Sequence, residues 1–198
     1  MRVFHRERAG RPLRVLWMLE ELGEPYELIV MTREEGRGAD HRGRHPLGRV
    51  PAIEDDEGVV FESAAICLHL GDQHPESGLL PAPGTHDRAL VYQWACFAPA
   101  ELEPPLFEAW IQAERDPDRA AVGRQRFSKA TSAVEAALDG AEYLVAGRFT
   151  VADVMVGTTL MFTARAGIAD LLTPALTSYM GRLGQREGFQ RAFKRAFG

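Results

Sequence analysis

The first part of the chain places short apolar runs on either side of one amphipathic segment. Residues 2–5 have the composition of a short strand, and a second apolar run at 26–31 predicts another. Between them, apolar side chains recur at helical spacing behind Pro12, a residue favoured in the first turn of a helix, and Gly23 ends the segment. Strand, helix and strand within about 30 residues predict a βαβ unit with parallel pairing and a right-handed crossover.

Residues 49–70 have the pattern of a hairpin that is followed at once by a helix. Apolar runs at 50–53 and 59–61 flank an acidic turn in which Gly58 supplies the turn geometry. Apolar residues then recur at helical spacing behind Ser63, a favourable residue at a helix start. Free backbone N–H groups and a hydroxyl are therefore expected together at this helix start, which is a favourable place for a carboxylate.

Every periodic segment after this region is helical. The stretch 71–86 is rich in Gly and Pro and predicts a domain boundary. A long helix over 87–112 is expected to bend or break at its prolines, and a second helix covers 119–138. The second half of the chain is therefore predicted to be all-α.

The clearest local signal in this half is another helix start. Thr150 and Asp153 stand at the spacing of a capping box, and Phe149 and Val154 occupy the positions of a hydrophobic staple. The helix that they begin, over 151–166, carries few charges and is expected at the centre of its domain. Two further helices are predicted near the C-terminus.

Composition narrows the class of protein. A chain of 198 residues, 45% of them hydrophobic and 26% charged, is long enough for a sizeable core. The net charge of -5 argues against a general nucleic-acid binder, because phosphate contacts need a basic face. The N-terminus lacks the apolar core of a secretory signal, and the longest apolar run, 154–164, is too short to span a bilayer. Cys67 and Cys96 are interpreted as buried structural thiols, which fits a cytoplasmic protein.

A basic, loop-like segment at 32–49 precedes the hairpin. Most of its arginines are expected to face solvent, but the segment leads straight into Val50, so one or two could attract an anionic ligand. His41 and His45 stand four residues apart, as a metal pair on a helix would. Glycine between them and Pro46 after them oppose that helix, so no metal site is expected.

The Val50-Pro51 pair suggests a binding function for the hairpin. A proline at the head of a strand cannot donate to the ladder, so it belongs at an edge or in a tight turn, of which a cis bond is one form. Val50 can then pair with an extended peptide as a further strand would. With Ser63 for a carboxylate and Glu62 for an ammonium, these residues describe a site for a small peptide-like molecule. The alternative is a plain hairpin followed by an ordinary helix start.

The order VPAIEDDEG, then ES, then an alanine-rich helix resembles the glutathione-binding half of cytosolic glutathione S-transferases. The segments RVLWMLEELGEPYEL and RFTVADVMVG resemble the family's first helix with its second strand and its capped core helix. The resemblance spans essentially the full length. It implies the glutathione S-transferase fold, with an α/β thioredoxin-like N-terminal domain over 1–77, a linker over 78–86 and an all-α C-terminal domain over 87–198. It also implies a homodimer that takes part in detoxification.

The resemblance assigns roles to five residues of the hairpin region. Val50, Pro51, Glu62 and Ser63 match the positions that hold the tripeptide in the family, where the Val-Pro bond is cis. Arg49 stands where the family often has a Lys or Gln that reaches the glycine end of the ligand. Glutathione is therefore the expected co-substrate.

Two other stretches receive weaker assignments. His45 opens a sequence that resembles the family's Asn-Pro-x-Gly, with His in place of Asn, and His41 is expected near the same end of the ligand. The second substrate would lie between the domains, where Trp94, Phe97 and Glu101 repeat at helical spacing. Packing in the core is the alternative for these aromatic residues.

The position that activates the thiol departs from the family pattern. Conjugation needs the thiolate, and the family stabilises it with a Tyr, Ser or Cys just after the first strand. The loop at 6–12 contains none of these, and the position of that side chain falls near Ala9 or Gly10. Either the guanidinium of Arg11 stabilises the thiolate by charge, or a backbone N–H near Gly10 does so.

Three functions are open on this basis. The first is conjugation of glutathione to a small hydrophobic electrophile, with no nucleic-acid or membrane partner. The second is a non-catalytic protein that uses the same fold to bind ligands or proteins, which the missing hydroxyl or thiol favours. The third keeps glutathione as a cofactor for isomerisation or dehalogenation.

Overall fold

The structure, a computed structural model, describes residues 1–7 and 9–198. Arg8, in the loop predicted to activate the thiol, lies outside the described residues. The strands are β1 (Arg2–Arg6), β2 (Glu27–Met31), β3 (Ala52–Glu54) and β4 (Val59–Phe61). The α-helices are α1 (Pro12–Leu22), α2 (Ala39–Arg44), α3 (Ser63–Gln73), α4 (His86–Phe97), α5 (Glu103–Gln112), α6 (Pro117–Leu138), α7 (Val151–Met161), α8 (Pro174–Gly184) and α9 (Glu187–Phe197).

The four strands form one mixed sheet in the order β2-β1-β3-β4. β1 pairs in parallel with β2, as the βαβ pattern predicted, and β3 pairs antiparallel with both β1 and β4. The apolar stripe of α1 is buried, and Gly23 ends this helix with a left-handed φ of 70° that suits glycine. The predicted fold class is confirmed: an α/β thioredoxin-like half is followed by a mostly helical remainder.

The chain forms two compact units, one made of residues 1–80 with 185–198 and the other of residues 81–184. This grouping differs from the predicted boundaries, which placed all of 87–198 in the helical domain. The reason is that α9 packs on α1 and β1. The ring Nε2 of His5 donates to the carbonyl of Ala196 at 3.1 Å, and Arg186 donates two hydrogen bonds of 2.7 Å to the carboxylate of Glu21.

The predicted long helix of the second unit is broken. α4 ends at Phe97, a single π-helical segment covers Ala98–Leu102, and α5 continues from Glu103. Pro99 lies in this segment and lacks the N–H that a regular helix would use, which explains the break. Cys96 lies on the exposed side of α4, because Val91 and Ala95 occupy the buried side, so the prediction that it is buried is wrong.

The central helix, α7, starts as predicted at a capping box. The carboxylate of Asp153 accepts hydrogen bonds from the N–H of Thr150 at 2.9 Å, the N–H of Leu144 at 3.0 Å and the O–H of Tyr179 at 2.8 Å. The helix ends at Met161, earlier than predicted, because the next N–H groups make tighter bonds of the i→i+3 type. In the described chain, no helix combines the length and the apolar character that crossing a membrane requires.

Candidate functional site

The peptide bond between Val50 and Pro51 is cis. Pro51 is buried, and β3 begins one residue later at Ala52, which pairs with Phe4 of β1 and Phe61 of β4. β3 is therefore an interior strand, and Val50 lies just ahead of its ladder. Val50 is half-buried, and the pairing of its backbone with a peptide ligand stays a prediction.

The start of α3 lies at the end of the same hairpin. Glu62 is the N-cap residue, with φ 73° and ψ 117°, and Ser63 is the first residue of the helix. The first backbone bond runs from the N–H of Ile66 to the carbonyl of Glu62 at 2.9 Å. No side chain in the described part of the protein caps this helix, so the N–H groups of residues 63–65 lie ahead of its first bond without a cap.

Ser63 is held by an arginine that the sequence analysis missed. The Nη1 of Arg14 donates to the hydroxyl oxygen of Ser63 at 3.2 Å, and both residues are buried, with exposed fractions of 1% and 4%. Because this oxygen accepts from a cation, the hydroxyl proton of Ser63 is directed towards a different acceptor. The signal for Arg14 was present, since it is the single charged residue between positions 12 and 19.

The same arginine acts on Cys67, one turn along α3. Burial raises the pKa of the Cys67 thiol to about 12, while the charge of Arg14 acts in the opposite direction. Cys67 is fully buried and stays protonated at neutral pH. Its thiol is a structural group, as predicted, and a thiolate at this site has to come from a ligand.

The segment before Val50 contains the short helix α2, where the sequence analysis predicted a loop. His41 lies on this helix with an exposed fraction of 1%. Its Nε2 donates to the carbonyl of Arg49 at 2.7 Å, and its Nδ1 is buried without a hydrogen-bond partner among the described residues. The donor of His41 is therefore used by the backbone of Arg49, and a place for His41 near the ligand stays a prediction.

His45 ends the same helix and is also buried. Its Nδ1 accepts a hydrogen bond from the N–H of Leu47 at 3.2 Å, and its ring lies 4.9 Å from that of Phe61. An Asn forms the same turn with its side-chain oxygen, and Nδ1 stands the same number of bonds from the backbone. Burial lowers the pKa of His45, while the charge of Glu62 acts in the opposite direction, so the ring is kept neutral as the acceptor that this turn needs.

Comparison with known proteins identifies the family. A family model described as the N-terminal domain of glutathione S-transferase matches residues 11–73. Glutathione S-transferase 4 of Zea mays is 31% identical over 187 residues, which cover 87% of this chain and 82% of the maize protein. The chain belongs to the glutathione S-transferase family.

Other relatives agree with this assignment. Glutathione S-transferase GST-4.5 of Xanthomonas campestris is 28% identical over 80% of this chain and 81% of its own length. Among solved structures, a sphingomonad glutathione S-transferase in complex with glutathione superposes with a TM-score of 0.87 at 29% identity, covering 99% of this chain and 98% of its own. The likeness therefore extends over both halves of the protein.

Arg11 and Gly10, which the resemblance suggests for activation of the thiol, lie at the start of α1. Arg11, half-buried, is the N-cap residue of α1, and Gly10 precedes it. The N–H of Leu13 donates to the carbonyl of Gly10 and the N–H of Arg14 to that of Arg11, each at 3.1 Å, while Pro12 has no N–H. A backbone donor for a thiolate would therefore lie upstream of Pro12. The catalytic roles of Arg11 and Gly10 stay predictions.

The three residues suggested for the second substrate differ in how exposed they are. Trp94 has an exposed fraction of 5% and packs edge-to-face with half-buried Phe97 at 5.2 Å. Glu101 is exposed and lies in the π-helical segment that follows α4. Trp94 is a core residue of its unit, in line with the alternative that the sequence left open.

Proposed function

We propose that this protein is a glutathione transferase that binds glutathione as its co-substrate and adds the sulfur to a small hydrophobic electrophile. The observation that carries the proposal is the uncapped start of α3, where buried Ser63 accepts from buried Arg14 and is left to donate to an anion. The sphingomonad relative, solved with glutathione, supports the choice of ligand. The proposal includes a cytoplasmic homodimer with a detoxifying role, as the resemblance implies.

In the proposed complex, each part of the tripeptide meets one feature of this site. The γ-glutamyl carboxylate accepts from the Ser63 hydroxyl and from the first N–H groups of α3, where the helix dipole favours a negative charge. The carboxylate of Glu62 pairs with the ammonium group. The backbone of Val50 pairs with the central amide as a strand would, and exposed Arg49 attracts the glycine carboxylate.

The chemical step depends on the thiolate of the bound glutathione. A thiol with a pKa near 8.5 is only a few per cent ionised at neutral pH, so a positive charge or a donor near the sulfur speeds the reaction. Arg11 is proposed to provide this charge, and an N–H beside Gly10 is the alternative donor. Each unit by which the pKa of the thiol falls corresponds to about 1.4 kcal/mol of preference for the thiolate.

Binding is tested by calorimetry with glutathione and by retention on immobilised glutathione. Ser63→Ala is expected to weaken binding about tenfold or more, because a hydrogen bond to a charged group contributes roughly 1.5–3 kcal/mol. Glu62→Ala should weaken it as well. Ser77→Ala is the matched control, since that hydroxyl donates to the carbonyl of His74 outside the site. Normal binding by the double variant of Ser63 and Glu62 would overturn the proposal.

A non-catalytic glutathione-binding protein is the second candidate, and the absence of Tyr, Ser and Cys from residues 6–12 favours it. A panel of electrophiles, with isomerase and dehalogenase substrates included, separates the candidates by turnover. If Arg11 activates the thiol, Arg11→Met raises the apparent pKa in the pH–rate profile and leaves the affinity for glutathione nearly unchanged. Glutathione binding without turnover of any substrate would favour the binding protein.

A further inference from the structure

We propose that His41 and His45 are positioning residues that hold the Arg49-Val50 backbone in the conformation that binds glutathione. This inference rests on the proposed function, in which Val50 meets the ligand through its backbone. Neither histidine is proposed to touch glutathione. Each acts through a main-chain group of the segment that leads into the cis bond.

His41 fixes the last residue before Val50. Its Nε2 donates to the carbonyl of Arg49 at 2.7 Å, the shorter of the two histidine bonds in this segment. Since a carbonyl only accepts, Nε2 must carry a proton, and the buried Nδ1 has no partner in the described chain. This bond sets the direction of the carbonyl of Arg49, and with it the plane of the peptide that ends at the N–H of Val50.

His45 fixes the turn that comes before Arg49. Its Nδ1 accepts from the N–H of Leu47, and its carbonyl accepts from the N–H of Gly48 at 2.7 Å. Gly48 has φ 60°, and a side chain there would come within 2.6 Å of the carbonyl oxygen of Gly36. The turn is therefore closed by one side-chain bond and one backbone bond, and it packs too tightly for any residue larger than glycine.

The helix α2, which contains His41 and is followed directly by His45, is itself held against the sheet. The buried ring of Phe4 on β1 lies 5.9 Å from the ring of His41. The guanidinium of Arg44 lies over the ring of Phe4, 4.5 Å from its centroid. Arg44 also donates to Glu54 of β3 at 2.8 Å. Arg49 and Val50 lie outside the strand ladder. The position of the Arg49 carbonyl is therefore set by α2, which is itself bound to the sheet.

The two histidines differ in what protonation would do. His41 donates in both the neutral and the charged form, whereas His45 needs a bare Nδ1 and loses its bond when that nitrogen is protonated. The charged and titratable groups that act on His45 are Glu62, His41 and Arg49. Burial lowers the pKa of His45, so its acceptor is retained at neutral pH and is lost only as the solution is acidified below the ordinary range of histidine.

The first test changes one bond at a time and measures glutathione affinity by calorimetry at neutral pH. His41→Leu and His45→Leu should each raise the dissociation constant about 3- to 10-fold, as expected for loss of one hydrogen bond in a buried place. His41→Gln keeps an N–H donor and His45→Asn keeps an acceptor, so both should retain most of the affinity. Where turnover is found, the Leu variants should raise the KM for glutathione with little change in kcat.

The second test uses acid and does not depend on how well the Leu variants fold. Glutathione affinity of the unmodified protein should fall several-fold on acidification, and this fall should be smaller in His45→Asn, which keeps Glu62, His41 and Arg49 unchanged. Equal acid sensitivity in the two proteins would overturn the role of His45. In the first test, unchanged affinity in His41→Leu would overturn the role of His41. If the unmodified protein takes up no glutathione, the proposed function itself fails.

Discussion

Two helix starts in this protein use similar residues in opposite ways. At the start of α7, the side chains of Thr150 and Asp153 accept hydrogen bonds from backbone N–H groups and form a capping box. Asp153 is completely buried. At the start of α3, Ser63 is also buried, but in the described chain no side chain caps the helix, and the N-cap residue Glu62 has a positive φ. One helix start is closed and the other is open.

The difference shows why a helix start by itself does not identify a site. The first N–H groups of every helix need partners, and at α7 the protein supplies them. At α3 the hydroxyl of Ser63 accepts from Arg14, which points its proton away from the arginine instead of closing the cap. An anion from solution can complete the arrangement at α3, whereas at α7 the side chains of Thr150 and Asp153 already accept hydrogen bonds from the backbone.

The largest effect is a loss of stability, expected when the capping box of α7 is removed. Asp153→Ala leaves the N–H groups of Leu144 and Thr150 and the O–H of Tyr179 without their buried acceptor. The free energy of unfolding should fall by about 3–5 kcal/mol, as for other buried groups that lose a charged partner. Denaturant unfolding measures this loss.

The control for this prediction is Asp118→Ala. Asp118 is an exposed acidic residue in the first turn of α6 and should contribute about 0.5 kcal/mol or less. Folded Asp153→Ala protein should still bind glutathione with near-normal affinity, since Asp153 belongs to the other compact unit. A loss of stability no greater than that of Asp118→Ala would show that the closed start is not maintained by this carboxylate.

The second effect concerns the open start and the arginine beneath it. Arg14→Met removes the donor that orients the Ser63 hydroxyl. Glutathione affinity should fall about tenfold, since a charge-assisted hydrogen bond contributes roughly 1.5–3 kcal/mol. Calorimetry measures the affinity, and denaturant unfolding of the same variant shows whether the fold is retained.

A double-mutant cycle tests whether Arg14 acts through Ser63. If it does, Arg14→Met should cost much less affinity in a Ser63→Ala background than in the unmodified protein. Arg33→Met is the comparison, because Arg33 is exposed and lies after β2. Fully additive losses would mean that the arginine acts on the ligand directly or through the fold.

The sequence was sufficient for features that depend on local pattern. The capping box at Thr150, the βαβ unit and the hairpin each follow from spacing within about 30 residues, and each is present. The resemblance of Val50-Pro51 to the family's motif also indicated the cis bond. These features are encoded by residues that are neighbours in the chain, so reading along the sequence finds them.

The missed features depend on contacts between distant residues. Arg14 and Ser63 are 49 positions apart, and only the packing of α1 on α3 brings their side chains together. The sequence also could not show that the carbonyl of Arg49, eight residues on, would accept a hydrogen bond from His41. A buried charge inside an apolar helix pattern was the one available signal, and its partner was not predictable from the chain alone.

The smallest effect concerns Glu62 at the start of α3, where the strain of the backbone can be separated from the role of the carboxylate. Glu62 has φ 73°, a region that residues with a side chain adopt at a cost of roughly 1–3 kcal/mol and glycine adopts freely. Glu62→Gly and Glu62→Ala both remove the carboxylate, so both should weaken glutathione binding alike. Only Glu62→Gly relieves the backbone strain, so its free energy of unfolding should be about 1 kcal/mol higher than that of Glu62→Ala. Denaturant titration measures this difference.

Equal stability of these two variants would contradict the strain at Glu62, and unequal affinity would show that the backbone itself helps to place the ligand. Gly58 provides the matched comparison within the same hairpin. It has φ 141° in an exposed turn, so Gly58→Ala introduces the same kind of strain away from the start of α3. That variant should lose stability while its glutathione affinity stays unchanged, because the closing turn of the hairpin contributes no group to the proposed binding of the tripeptide.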